Sequence, residues 1–266
     1  MIRLPTTERV TPDSWALRVT FWQSLAAYRW ACTHARGKRV LDVGCGEGYG
    51  AAELARTAQL VIAVDQDKKT LAAAQRRYPF ENVLWLGGSA DHLPVRDEAI
   101  DLLCCFQVLE HLRAPERFLQ EAKRVLVPGG RLLLTTPNRY AVLSGTNPHH
   151  DAEFDAAHLS ELVQSVFSAS EILGVFASER VLTYRSHHRR LAERVLRLDP
   201  WGLYQRLPTR LRVQLHTAAT FSIRWWTNRQ QRALVAQIGV DDFQIRRGDL
   251  NEAIDLVVVA VRNASD

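Results

Sequence analysis

Arg39-Val40-Leu41-Asp42-Val43-Gly44-Cys45-Gly46-Glu47-Gly48-Tyr49-Gly50, followed closely by Val61-Ile62-Ala63-Val64-Asp65, is the stretch on which the reading of this chain turns. The apolar run Val40 to Val43 has the character of a central parallel strand, covered on both faces and so without polar alternation. Gly44, Gly46 and Gly48 then permit a sharp turn and a close backbone approach to a ligand. A helix and a second buried strand follow, and Asp65 stands at that strand's tip, 19 residues after Gly46. An acid so placed can accept hydrogen bonds from two ribose hydroxyls, and the segment reads as a nucleoside site. The same turn serves nicotinamide and flavin proteins, but Asp42 inside the first strand is ill-suited to a neighbouring pyrophosphate and well suited to an ammonium group.

Working outward, strands and helices alternate. Lys68 to Arg77 reads as a helix, and Val83 to Leu86 and Ile100 to Phe106 as strands. Pro115 opens a helix whose inner face is Phe118, Leu119, Ala122, Val125 and Leu126. Pro128-Gly129-Gly130 stops it before a strand at Leu132 to Thr136. Ahead of the glycine turn, Trp15, Val19, Trp22, Leu25 and Tyr28 recur at helical spacing and predict a helix across the mouth of the site. Downstream, Leu159, Leu162, Val163 and Val166 form a helical face, Ser170 to Val175 a sixth strand, and Asp255 to Val261 a strongly apolar last strand. Residues 176 to 253 therefore interrupt the final strand pair, and Leu191, Val195 and Leu198 predict that this insert is mainly helical.

Three further segments join the first: Leu93-Pro94-Val95-Arg96-Asp97-Glu98-Ala99-Ile100-Asp101, Gln107-Val108-Leu109-Glu110-His111-Leu112 and Val125-Leu126-Val127-Pro128-Gly129-Gly130-Arg131-Leu132. In this order the chain resembles the class I S-adenosylmethionine (SAM) methyltransferases over roughly residues 38 to 175. The resemblance implies a Rossmann-like sheet of seven strands with helices on both faces. An N-terminal helical segment (1–37) would lie over the site, a methyltransferase core would span 38–175, a basic helical cap 176–253, and the final strand and tail 254–266. It implies SAM as cofactor, with Gly44, Gly46 and Gly48 at its methionine portion, Asp42 near the ammonium, Asp65 on the ribose and Gln66 beside the adenine. Ser89, Ala90 and Asp91 would approach the adenine amine where relatives commonly place an acid, and Gln107 would face the methionine end.

Methyl transfer is an in-line displacement, for which the protein aligns the reactants and excludes water; a metal is not expected. A hydroxyl acceptor additionally needs a base. His111, just after the fourth strand, and His150, in the polar loop Asn147-Pro148-His149-His150, are the candidates. A similar Asn-Pro-x-His element follows the fifth strand in a subset of bacterial glycan O-methyltransferases, and on that resemblance His150 is preferred. Asn138, Arg139 and His149 are expected to contact the acceptor, and His187 and His188 to lie on the surface. Glu8-Arg9-Val10-Thr11-Pro12-Asp13 and the segment Gly248 to Leu256 also look like flanking elements of those enzymes and favour a sugar acceptor. A lipid, a quinone or another small molecule is the alternative acceptor, and a SAM-binding regulatory protein the non-enzymatic one.

Composition sets the outer bounds. A chain of 266 residues with 47% hydrophobic residues can bury one substantial core, which argues against disorder. No apolar run approaches the ~18–20 residues of a membrane span, and the N-terminus lacks the apolar core of a secretion signal, so cytoplasmic residence is expected. Cys32, Cys45, Cys104 and Cys105 lack metal-ligand spacing and read as small core residues. Residues 180 to 232 hold 12 arginines against Glu193 and Asp199, so this segment is strongly basic within a chain of net charge +5. Interleaved leucines, Trp201 and Tyr204 suit a peripheral contact with the inner membrane surface or the diphosphate of a lipid-linked sugar; arginines covering an acidic core are the plainer alternative. No nucleic-acid-reading motif accompanies the charge.

Overall fold

The computed structural model describes residues 10–141, 152–196 and 209–264. After a single 3-10 turn comes α1 (Arg18–Ala35), then β1 (Arg39–Val43), α2 (Tyr49–Ala55), β2 (Leu60–Asp65), α3 (Lys68–Arg77) and β3 (Val83–Gly87). These lead into β4 (Ile100–Phe106), α4 (Pro115–Val125), β5 (Leu126–Pro137), α5 (Ala156–Gln164) and β6 (Ala169–Ala177). The insert contributes α6 (Glu179–Leu196), α7 (Thr209–Gln230), α8 (Arg232–Gln237) and β7 (Phe243–Arg246), and β8 (Asp255–Val261) ends the fold. Among the described residues the strands form one eight-stranded sheet in the order β3-β2-β1-β4-β5-β8-β6-β7. β1 to β5 are parallel; β8 runs antiparallel between β5 and β6.

The sheet has the expected Rossmann-like core with one strand more. β7 adds to the outer edge, antiparallel to β6, within the stretch expected to be a helical cap. Its buried Phe243 and partly buried Ile245 alternate with exposed Gln244 and Arg246, a period-two pattern too short to stand out against the helical insert.

Strand alternation divides the core. Leu41, Val43, Leu103, Cys105, Leu132 and Leu134 pack towards α4 and α5. Val40, Leu102, Cys104, Phe106 and Leu133 pack on the opposite face with residues of α1 and α2. Asp42 shares the latter orientation, and so does Asp255, since Leu256, Val258 and Ala260 belong to the first core while Val257 packs with α1 and the cap. Both carboxylates thus lie beneath α1. Burial of Cys45, Cys104 and Cys105 accords with their reading as small core residues. Among the described residues no helix is long and apolar enough to cross a membrane.

Asn138, at the end of β5, was a candidate acceptor contact, and its surroundings correct that assignment. Its side chain is 1% exposed. Nδ2 donates to the carbonyls of Leu250 (2.7 Å) and Ala253 (2.8 Å), and Oδ1 accepts from the Tyr140 amide at 3.3 Å. The amide is therefore committed to joining β5 to the loop before β8. Asn138→Ala leaves buried carbonyls unpaired and is expected to cost about 1–3 kcal/mol, read as a thermal midpoint lower by several degrees.

Candidate active site

The glycine turn is built for close approach. Gly44, Gly46 and Gly48 have φ of 74°, 49° and 81°. A Cβ at Gly44 would lie 2.3 Å from Val108 Cγ2, which excludes a side chain there on contact grounds as well as backbone ones. The Gly44 and Cys45 amides both donate to the Val64 carbonyl, at 2.8 and 3.0 Å, tying the turn to β2. Asp65 completes the tie: Oδ2 accepts from the Gly46 amide at 3.0 Å and Oδ1 from the Asp67 amide at 2.9 Å. Its carboxylate is thereby aimed across the turn, with exposed Gln66 beside it. On the next loop Ser89 bridges to His92, Ala90 is buried and Asp91 is exposed. These residues all rim the carboxyl edge of the parallel strands, where open α/β sheets bind ligands.

α1 covers the turn. The Tyr28 hydroxyl donates to both oxygens of Asp42, at 3.1 and 3.4 Å. Its ring occupies the space a side chain at position 50 would need: a Cβ on Gly50 would lie 2.0 Å from Tyr28 Cζ. Edge contacts with Tyr49 (5.7 Å) and Phe106 (4.9 Å) fix the ring further. Burial raises the Asp42 pKa to about 7; the Tyr28 hydrogen bond opposes the rise and the Asp65 charge adds to it. Asp42 is a buried carboxylate held by a neutral phenol.

A second carboxylate lies along the same edge. Asp255 opens β8 opposite Pro137, at the carboxyl end of β5, and accepts from Gln23 Nε2 of α1 at 2.6 Å. Burial raises its pKa to about 6, against the hydrogen bond from Gln23, the charge of Arg185 and a hydrogen bond from Gln107. Gln107 has φ of 57°, a left-handed conformation uncommon outside glycine, and its amide donates to the Thr135 carbonyl at 2.9 Å. That strained backbone directs the side chain towards Thr135 Oγ1, 3.3 Å away, and Asp255. Half-buried His111 ends the 3-10 turn after β4. Neighbouring Glu110 is buried and accepts from Thr136 Oγ1 at 3.1 Å. Arg139 is exposed and pairs with Asp155 at 3.4 Å. His149 and His150 lie outside the described residues.

The structure thus brings Asp42, Asp65, Gln107 and the three glycines to one edge, and adds Tyr28, Gln23 and Asp255, which the sequence reading had not assigned to the site. The available signal for Asp255 was an acid at the head of an otherwise apolar strand, the counterpart of Asp42. His188, expected on the surface, is instead 7% exposed on the inner side of α6. It follows Tyr184 by one helical turn and stacks on that ring at 6.3 Å.

Residues 41–134 match a family model described as a methyltransferase domain. A probable S-adenosylmethionine-dependent methyltransferase of Mycolicibacterium smegmatis is 32% identical over 273 residues, covering 97% of this chain and 95% of that protein. The chain belongs to the S-adenosylmethionine-dependent methyltransferases. A phthiotriol/phenolphthiotriol dimycocerosates methyltransferase of Mycobacterium ulcerans is 33% identical over 154 residues, 56% of this chain and 55% of that protein. The solved structure of a Thermotoga maritima SAM-dependent methyltransferase, described as a possible histamine N-methyltransferase, superposes with a TM-score of 0.60. It covers 93% of this chain and 92% of that one at 16% identity, which shows the shared fold.

The cofactor of this methyltransferase is SAM, and the residues present suit it. Among the described residues the buried Asp42 carboxylate has a phenol and no cation as its hydrogen-bond donor, so a cationic ligand would offset its desolvation. Asp65 and the open backbone of the glycine turn suit the nucleoside and methionine portions. When bound, SAM supplies an electrophilic methyl group.

The sign of the Asp42 shift gives a test. Because the folded pKa is raised, the group's contribution to stability is greatest below its unfolded value near ~4 and is lost as pH rises through about 7. In SAM-free protein at pH ~8, Asp42→Asn is expected to stabilise the fold by about 1–4 kcal/mol. The gain should shrink towards pH ~5, and SAM affinity should fall. Thermal unfolding across this range, with and without SAM, measures all three effects.

Proposed function

We propose that this methyltransferase acts on a sugar hydroxyl of a glycan, glycolipid or glycosylated metabolite, and that Asp255 accepts the hydroxyl proton. The observation that carries this reading is Asp255 itself: a buried carboxylate at the ligand edge of the sheet, with its pKa raised to about 6 and with glutamines on either side. A hydroxyl is a poor nucleophile until its proton is taken, whereas a neutral amine attacks through its free lone pair, so a tuned carboxylate there favours oxygen as the acceptor atom. Gln23 and Gln107 orient the carboxylate, and α1 shields it from water. The bases expected from sequence, His111 and His150, are the competitors. Asp255 is preferred because its placement and its raised pKa coincide.

The test uses labelled SAM with a panel of neutral and acidic oligosaccharides, glycolipids and quinols. A sugar methyl ether survives alkali and is recovered as an O-methyl sugar after acid hydrolysis. Label recovered solely on amines, or released by alkali as methanol, would overturn the reading. Asp255→Asn is expected to lower kcat about 10²–10⁴-fold while SAM still binds. Wild-type kcat should rise with pH to a plateau above about 6, the pH at which the carboxylate becomes ionised. Full turnover by Asp255→Asn under rate-limiting chemistry excludes it as the base.

Peripheral contact with an anionic membrane forms part of the same proposal. Leu215, Ala218, Ser222, Trp225, Trp226 and Arg229 are exposed along one face of α7. The Arg229 guanidinium lies 5.4 Å from the Trp225 ring centroid. Apolar anchors beside a segment rich in arginine match the interface of an anionic bilayer. Vesicles containing phosphatidylglycerol should carry the protein upward on flotation, phosphatidylcholine vesicles should not, and a W225S/W226S variant should remain at the bottom. Equal flotation by that variant would remove this face from the proposal.

A further inference from the structure

The cap is polar on the side where a packed helix is ordinarily apolar. α7 turns Thr217, Thr227 and Asn228 inward while exposing Leu215, Trp225 and Trp226. Asn228 is part of a latch: its Oδ1 accepts from the Tyr184 hydroxyl at 2.8 Å and its Nδ2 donates to the Trp15 carbonyl. Together they hold α6, α7 and the segment before α1 against one another. Beside this latch are Arg185, His188 and Arg224. Arg185 Nη2 donates to the Ala141 carbonyl at 2.7 Å, at the start of the loop that leaves β5. Arg224 Nη1 and His188 Nδ1 are buried without a hydrogen-bond partner among the described residues, as are Trp22 Nε1 and Arg18 Nε on the facing helix.

The charges are also unbalanced. Burial and the neighbouring Arg224 lower the proton affinity of Arg185, with the Asp255 charge opposing them. Burial, then Arg224, then Arg185, bring the His188 pKa down to about 4, so its ring is neutral at physiological pH. Among the described residues, Asp255 is the carboxylate whose charge reaches Arg185, and Gln23 and Gln107 already hydrogen-bond to it. Two guanidinium groups whose charges oppose one another, with Arg224 Nη1 buried and unpartnered among the described residues, are costly unless an anion offsets them. A doubly charged phosphate offsets two guanidinium charges where a carboxylate offsets one, and guanidinium groups bind its oxygens through paired hydrogen bonds.

We propose that the acceptor carries a phosphate group, held between Arg185, Arg224 and the His188 ring on the acceptor side of Asp255. This rests on the reading of Asp255 as the acceptor edge. The phosphate belongs to a sugar phosphate, free or lipid-linked. It fixes the acceptor at a point away from the reacting hydroxyl, and the nearby carboxylate takes the proton. Arg185, which reaches both towards Asp255 and to Ala141, links the two positions.

The first experiment needs no turnover. With the full chain and inorganic phosphate as probe, against chloride at equal ionic strength, calorimetry should show saturable binding. The His188 ring resonances should move, with the ring pKa raised, as expected for an imidazolium gaining an anionic partner. Arg224→Gln should weaken phosphate binding at least ten-fold while SAM affinity reports an intact fold; if that variant does not bind SAM, Arg224→Lys takes its place and should show a smaller loss. Absence of saturable phosphate binding by folded wild-type protein, or equal binding by the folded variant, overturns the proposal. In turnover, a soluble sugar phosphate, the same sugar phosphate on a polyprenyl chain and the unphosphorylated sugar are compared. A kcat/KM at least ten-fold higher for the phosphorylated forms supports it, and the better of the two identifies the source. Equal turnover of the neutral sugar overturns the phosphate inference and leaves the sugar reading standing. Phosphate binding without methylation of any sugar hydroxyl does the reverse.

Discussion

Two carboxylates buried on one face of a sheet, each held by a single side chain of the helix above, are the constraint around which this methyltransferase is arranged. Asp42 has the Tyr28 phenol and Asp255 the Gln23 amide. An ionised carboxylate in such surroundings is expensive unless it is paired, and among the described residues neither is hydrogen-bonded to a cation. Their pKa values have moved to about 7 and about 6 in consequence. The fold keeps both because each faces a place where a ligand supplies what the protein withholds: a cation beside Asp42 and, on the proposed reading, a hydroxyl proton beside Asp255. The strand order makes the arrangement possible, since β8 enters antiparallel beside β5 and delivers its first residue to the edge where β1 and β4 deliver their last.

Much of this was legible in the chain because it is local. The β1 to β2 segment, its glycines and Asp65 lie within a few dozen residues, and both the apolar runs and the turn chemistry have short-range causes. Asp255 was missed because an acid at the head of a strand reads equally well as the boundary with solvent; only pairing with β5 and the approach of Gln23, 232 positions away, places it inside. Asn138 was misassigned for the related reason that a polar residue after β5 was taken to face a ligand, when two distant carbonyls already claimed it. The short β7 was hidden by its neighbours, since four alternating residues carry little weight beside a long helical insert.

The cap shows a deeper limit of periodicity. Its helical character was read from Leu191, Val195 and Leu198, and its arginines were read as facing an anionic membrane or covering the acidic core. In α7 Leu215, Trp225 and Trp226 are exposed while Thr217, Thr227 and Asn228 are buried, and Arg224, 39 positions after Arg185, lowers that residue's proton affinity. A pattern records how often a face alternates and is silent on which face meets solvent.

The Tyr28 ring fits against the glycine turn because position 50 has no side chain, and Gln23, five residues earlier on the same helix, touches the opposite end of the site. One helix therefore touches both buried carboxylates. Free-energy linkage then has a direction-free consequence: whatever SAM does to the placement of α1 changes affinity for the second ligand by some factor, and that ligand must change affinity for SAM by the same factor. On the proposed reading, the helix that covers both carboxylates is the element through which filling one position is linked to filling the other.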